Sequence, residues 1–245
     1  MNDRTIPTSH YNAFIIDADN TLFDFNKSER EALRQALRAN GYSSVPEDTC
    51  ERYHDINDEL WKRFEQGGVS QDELRIERFR RLLSSLPPAQ GRQYSPDPEQ
   101  IGKRYIEVLS NKGYLLPHAR VVLQRMSARV PLLLLSNGIA SVQRRRIAQS
   151  GIGPYFRDIL ISAEVELAKP DPAIFALAIE RLGCDKRQIL CVGDSPSSDI
   201  RGGRSAGLDT CWFASGTAAY PAHEPPPTYR INDLRQLLDF LPSGH

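Results

Sequence analysis

A chain of 245 residues with 40% hydrophobic content is long enough for one substantial core, or for a core carrying a smaller insert, and two lobes are expected. Its 31 basic residues balance 31 acidic ones, so bulk charge gives no reason to expect a nucleic acid polymer or an anionic membrane as partner; anion recognition has to be local. The polar start MNDRTIPTSHYN has no apolar leader segment, and no stretch approaches the ~18 apolar residues of a membrane helix, which predicts a cytoplasmic protein.

In chain order, residues 13–16 form a short apolar run that ends abruptly in DADNT, a buried strand delivering polar groups at its carboxyl end. Residues 25–116 hold charged and apolar residues at helical spacing, such as Ile56, Leu60 and Phe64, with no convincing strand. They read as a helical insert, broken by a proline-rich loop over 86–98. Four further apolar runs follow at 131–135, 159–161, 189–192 and 210–213, and their continuous apolarity predicts strands covered on both faces. Helical patterns over 141–150, 172–182 and 199–206 lie between them, closed by Gly151, Gly183 and Gly207. A proline-rich tail over 220–227 precedes an amphipathic stretch over 232–240. Alternation of this kind predicts an α/β fold: a Rossmann-like, doubly wound parallel sheet from 1–24 and 117–245, with 25–116 inserted as a helical domain and ligands bound at the carboxyl ends of the strands.

Cys50, Cys184, Cys191 and Cys211 show no CxxC or CxH pattern, which argues against a zinc site and a disulfide framework. The five histidines make no HExxH or paired spacing, so histidine-metal and serine-histidine mechanisms lack their raw material.

Four strand ends and helix starts carry the candidate chemistry. Asp17 and Asp19, separated by one residue, point into one crevice if the chain bends, with Thr21 at the same spacing. Two like charges so close call for a hard divalent cation with oxygen ligands, for which magnesium is suited; an Asx turn or helix cap is the plainer alternative. Ser136, Asn137 and Gly138 follow the second apolar run and offer a hydroxyl, an amide and a permissive backbone for an oxyanion, although the same residues make ordinary turns. Lys169, just ahead of Pro170, Asp171 and Pro172, opens a helix and places an ammonium there, or is a solvated surface charge. Asp194 ends another strand as a candidate metal ligand; Asp199, five residues on, either caps the next helix or orients Lys169 or a metal-bound water.

The ordered set of DxDxT, a strand-end Ser, Lys and GDxxxxD resembles the haloacid dehalogenase superfamily. That resemblance implies Asp17 as nucleophile, Asp19 as general acid and base, Ser136, Asn137 and Lys169 as phosphate-binding groups, and magnesium held by Asp17, Asp194 and the backbone carbonyl of Asp19. It implies a phosphatase, because the superfamily's dehalogenases lack the second Asp; a mutase uses the same pair. The position of residues 25–116 is similar to that of the superfamily's first class of helical cap. More narrowly, DADNTLFDF, DINDELWKRFEQGGVSQDEL, SNGIASVQRRRIAQSGIGPYF, ISAEVELAKPDPAIF and TCWF look like the bacterial house-cleaning pyrimidine 5'-nucleotidases. The implied partner is a small phosphorylated metabolite, a nucleotide, and the expected assembly is a monomer or small homo-oligomer. A sugar-phosphate or phosphoglycolate phosphatase is the alternative within enzymes, and a regulatory protein that only binds phosphate the alternative outside them. Trp61, Arg63 and Phe64 offer stacking faces and a guanidinium fork for a nucleotide, but helix packing is the better reading. The run Arg144, Arg145 and Arg146 reads as a solvated helix face.

Overall fold

The computed structural model describes residues 10–42, 44–88, 96–214 and 219–243. The middle of the predicted proline-rich loop and most of the polar start lie outside these residues. The chain divides into two compact units, one of Met1–Phe25 with Gly113–His245 and one of Asn26–Lys112.

The first unit is built on a six-stranded parallel sheet. Its strands are β1 (Ala13–Ile16), β2 (Leu132–Ser136), β3 (Asp158–Ile161), β4 (Ile189–Gly193), β5 (Asp209–Phe213) and β6 (Tyr229–Ile231). The spatial order is β3-β2-β1-β4-β5-β6, with Phe14 opposite both Leu132 and Leu190. Succession runs outward from β1 in one direction and then resumes at β4 in the other, so the strand order reverses between β1 and β4, where open α/β sheets bind ligands. Alternation along the strands explains the continuous apolar runs. Phe14, Ile16, Leu132, Leu134, Leu190 and Val192 pack in one core, while Ala13, Ile15, Leu133, Leu135, Ile189 and Cys191 pack in another. The first core is covered by α5 (Ala119–Ser127), by Ile147 of α6 (Ala140–Ser150) and by a C-terminal 3-10 helix (Leu234–Phe240). The second is covered by α8 (Pro172–Leu182), which follows the single-turn α7 (Ser162–Val165), through Ile174, Phe175, Ala178 and Leu182. Gly151 and Gly183 stop α6 and α8 in left-handed conformations, with φ of 65° and 68°.

Among the described residues the second unit holds four helices, α1 (Phe25–Ala39, its first residue still in the sheet unit), α2 (Thr49–Glu65), α3 (Gln71–Ser84) and α4 (Pro98–Ser110). Local chemistry starts two of them: Ser70 and Glu73 form a capping box on α3, and the Asp97 side chain caps α4 ahead of Pro98. The rings of Tyr53, Phe79 and Tyr105 meet at centroid distances of 5.3–5.4 Å in its core. Beneath them Glu29 and Arg78 are buried, joined through Asn57, whose amide donates to Glu29 Oε1 at 2.9 Å and accepts from Arg78 Nη1 at 3.0 Å. Trp61 and Phe64 lie edge to face within α2. No described helix is long and apolar enough to cross a membrane.

Candidate active site

Beyond Ile16 the chain turns back on itself. The amides of Leu22 and Phe23 both donate to the Ala18 carbonyl at 2.9 Å, and Asn20 takes φ 57°, a left-handed conformation Asn tolerates better than most residues. The Asp17 amide donates to the Val192 carbonyl at 2.9 Å, which ties the tip of β1 to β4. Asp17 is thereby left buried at the carboxyl edge of the sheet, with Asp19 partly buried two residues on.

Lys169 reaches the same edge from the segment ahead of α8. Its side chain is 3% exposed, and Nζ donates to Asp17 Oδ1 and Asp199 Oδ1, both at 2.6 Å, and to the Leu135 carbonyl at 3.2 Å. Asn137 seats it from the main chain: Oδ1 accepts from the Lys169 amide and Nδ2 donates to the Lys169 carbonyl, each at 2.8 Å. The side chain of Asn137, predicted to bind substrate, is therefore engaged in positioning the lysine. Ser136, at the end of β2, accepts at Oγ from the Gly138 amide and from Gln143 Nε2.

Asp194 and Asp199 follow β4. The indole of Trp212 donates to the Asp194 carbonyl at 2.7 Å, bracing that loop from β5. Asp199 sits in a π-helical turn, Pro196–Ile200, where Oδ2 accepts from the Ser195 amide at 3.0 Å while Oδ1 accepts from Lys169. Both of its oxygens are engaged, which favours orienting Lys169 over binding a metal. Gly193 is required for this approach, because a Cβ there would lie 2.1 Å from Asp199 Oδ2.

The electrostatics follow from burial. Desolvation pushes the Asp17 carboxyl up to about 7, with Lys169 opposing the shift and Asp199 and Asp19 adding to it. Asp194 is held well above the carboxylate range by burial and by the charges of Asp17 and Asp199. Burial alone would depress the Lys169 ammonium, but the carboxylates of Asp17 and Asp199 override it and hold it protonated above the usual lysine range.

The donor set fits a hard divalent cation. Asp17, Asp194 and Asp199 offer carboxylate oxygens within 4.8 Å of one another. Counting Asp19, four carboxyl groups crowd round the cations of Lys169 and Arg146; burial and mutual repulsion oppose ionisation of Asp17 and Asp194, and a divalent cation suited to oxygen ligands, such as magnesium, would favour their charged forms.

Arg146 and Gln143 are the residues that sequence reasoning missed. Of the arginine run predicted to be a solvated face, Arg144 and Arg145 are exposed but Arg146 is fully buried. Its Nη1 donates to Asp19 Oδ1 at 2.5 Å, and Gln143 Nε2 donates to Asp19 Oδ2 at 2.6 Å. A signal was present: Val142, Gln143, Arg146, Ile147 and Ser150 form one helical stripe, so the two polar residues share the face of the apolar ones.

The family described as haloacid dehalogenase-like hydrolase matches residues 11–207. The chain is 33% identical to pyrimidine 5'-nucleotidase PynA of Streptococcus pneumoniae over 94% of its own length and 95% of that protein. It is 29% identical to pyrimidine 5'-nucleotidase YjjG of Escherichia coli, over 92% and 95% respectively. The crystal structure of the Bacillus subtilis HAD-hydrolase YfnB bound to magnesium is similar at 30% identity, with a TM-score of 0.85 over 95% of this chain and 99% of that one. With its motif residues gathered at the reversal point of a parallel sheet and a family match spanning most of the chain, this protein belongs to the haloacid dehalogenase-like hydrolases.

Proposed function

We propose that the protein is a magnesium-dependent phosphate monoester hydrolase acting through an aspartyl phosphate on Asp17, with pyrimidine nucleoside 5'-monophosphates as substrates. One observation carries the chemistry: a buried Asp17 bonded at 2.6 Å to a buried, protonated Lys169, with the Asp19 carboxyl two residues away as acid and base. Likeness to two named pyrimidine 5'-nucleotidases over more than nine-tenths of the chain supports the substrate class.

A carboxylate oxygen of Asp17 attacks phosphorus in line, forming the acyl phosphate as the bond to the ester oxygen breaks; the Asp19 carboxyl gives its proton to the departing alkoxide. Water then attacks phosphorus and loses a proton to the Asp19 carboxylate, which releases inorganic phosphate and restores Asp17. The Ser136 hydroxyl holds an equatorial oxygen, and the charge of Lys169, whose three hydrogens already go to Asp17, Asp199 and Leu135, offsets the charge that builds there. Asp17, Asp194 and the backbone carbonyl of Asp19 would hold magnesium, which would supply the positive charge that lets a phosphate dianion approach a carboxylate. Selectivity for the leaving group is assigned to the inserted helical unit, a cap by its place in the chain between the first and second motifs.

Release of inorganic phosphate from a panel of monoesters, with magnesium and with chelator, tests the reading. UMP, dUMP and dTMP are expected to turn over only with the metal, and Asp17→Asn to abolish turnover while the circular dichroism stays unchanged. Faster turnover of phosphoglycolate or a sugar phosphate would replace the nucleotide assignment, and full activity in D17N would overturn the nucleophile.

A further inference from the structure

We propose that Gln143 and Arg146 of α6 form a positioning clamp that holds Asp19 and the Ser136 hydroxyl in the orientations the reaction uses, an inference that rests on the phosphatase reading above. Each Asp19 oxygen has its own donor, Arg146 Nη1 on Oδ1 and Gln143 Nε2 on Oδ2. Gln143 Nε2 also donates to Ser136 Oγ at 2.8 Å, and its Oε1 accepts from Arg146 Nη1 at 3.1 Å. These contacts fix which way the amide points. Turned over, it would set its oxygen against the Asp19 carboxylate and its hydrogens against a guanidinium.

The clamp has consequences at both of its ends. Two of the four lone-pair sites on the Asp19 carboxylate are taken by donors, one per oxygen, so the group is held in one rotamer yet keeps a site on each oxygen for the proton it gives and takes. Ser136 Oγ accepts from Gln143 and from the Gly138 amide, so both of its lone pairs are occupied and its hydrogen is left to donate. A hydroxyl committed to donating suits a phosphoryl oxygen, whereas a freely rotating one must be ordered during reaction.

The surroundings are shaped to this end. A Cβ on Gly138 would lie 2.4 Å from Gln143 Nε2 and 2.5 Å from its Cγ, so the backbone there has to be bare for the side chain to pass. The Arg146 guanidinium lies 4.5 Å from the Phe23 ring centroid and 5.7 Å from that of Phe25, and both aromatics follow closely after DADNT. Burying a cation and an amide in a stripe that also holds Val142 and Ile147 is a poor way to gain stability, since apolar side chains of similar volume are often as good or better.

The test separates transfer to Asp17 from everything after it. The quantity kcat/KM ends at the first irreversible step, and p-nitrophenolate leaves without protonation while a ribose 5'-alkoxide does not. With the full-length enzyme and magnesium, Arg146→Met is expected to lower kcat/KM roughly 100-fold on the best alkyl phosphate of the panel but less than about 5-fold on p-nitrophenyl phosphate, whereas Gln143→Met, which also frees the Ser136 hydroxyl, is expected to lower kcat/KM on both esters and more on the alkyl phosphate. Arg146→Lys is expected to recover part of the alkyl phosphate activity and covers the case in which R146M does not fold. Equal losses on both esters in R146M, or no loss on either ester in both variants, would overturn the clamp. A parent enzyme that turns over neither ester would instead remove the phosphatase reading, and the clamp with it.

Discussion

Lys169 stands between two carboxylates, and which of them it serves is a question about single residues. Its ammonium is equidistant from Asp17 and Asp199 at 2.6 Å. Asp199 is held from the other side by the Ser195 amide, so it is placed as the fixed post, and Asp17 is the group that reacts in the proposed mechanism. Asp199→Asn keeps the shape and removes one charge. The expected result is a fall in kcat of about 10- to 100-fold, the usual effect of losing a residue that orients another, with the magnesium concentration for half-maximal activity little changed. If that concentration rises while kcat at saturating metal is restored, Asp199 is a metal ligand and the orienting role is wrong.

Among the elements, α1, α2 and α3 carry a buried charge system in the helical unit that needs two separate tests. Arg78 is 2% exposed, donates to Asn57 and stacks over Phe79 and Tyr105 at 5.2 and 4.8 Å. Arg78→Ala leaves Glu29 without the cation linked to it through Asn57, and urea unfolding is expected to show a loss of about 3 kcal/mol or more. Arg78→Met, which keeps the stem, is expected to lose less. His54 Nδ1 lies 2.9 Å from the same Glu29, with the imidazole half-exposed. The hydrogen bond to Glu29 raises the His54 pKa above its ordinary 6.5; burial opposes it and Asp58 and Asp55 add to it. A folded pKa above the unfolded one stabilises the native state below the unfolded value, and the contribution disappears as pH rises through the folded value. The Tm difference between the parent and His54→Gln is therefore expected to be largest below the ordinary histidine value of 6.5 and to shrink as pH rises past the raised folded value. A difference independent of pH would exclude the ion pair.

These elements differ in how much of them was legible beforehand. Residues 13–16 and 172–182 were bounded as they are observed, because a fully apolar run and a Pro-to-Gly frame leave little choice. β6 was missed: Tyr229, Arg230 and Ile231 are too few and too polar to announce a strand, and they gain their pairing only from β5. The predicted helix over 199–206 proved to be a π turn followed by α9 (Arg201–Ser205), as the Asp199 side chain bonds back to the Ser195 amide. In the site, motif spacing pointed to Asp17, Ser136, Lys169 and Asp194 because each adjoins a strand end or a helix start. Gln143 and Arg146 lie in mid-helix, where only the parity of the buried stripe marks them.

For the molecule as a whole, a formal net charge of zero conceals an uneven distribution. Balanced ion pairs such as Lys62 with Asp58 and Arg144 with Glu164 lie on exposed faces, where each contributes little. The acid excess sits at the sheet edge, and Asp17 and Asp194 both belong to the α/β unit. Carboxylates forced together there oppose folding in the absence of a counterion, so a metal that binds only the folded arrangement adds stability by mass action. At a magnesium concentration a hundred times its dissociation constant the gain is about 2.7 kcal/mol, roughly 5–10 °C in Tm for a unit of this size. Calorimetry is expected to show that shift in the transition of the α/β unit, and to show it reduced to a small fraction in Asp194→Asn at the same metal concentration. An equal shift in D194N, or a shift reproduced by sodium at matched ionic strength, would mean that the acidic edge does not hold the ion and that Asp194 has another task.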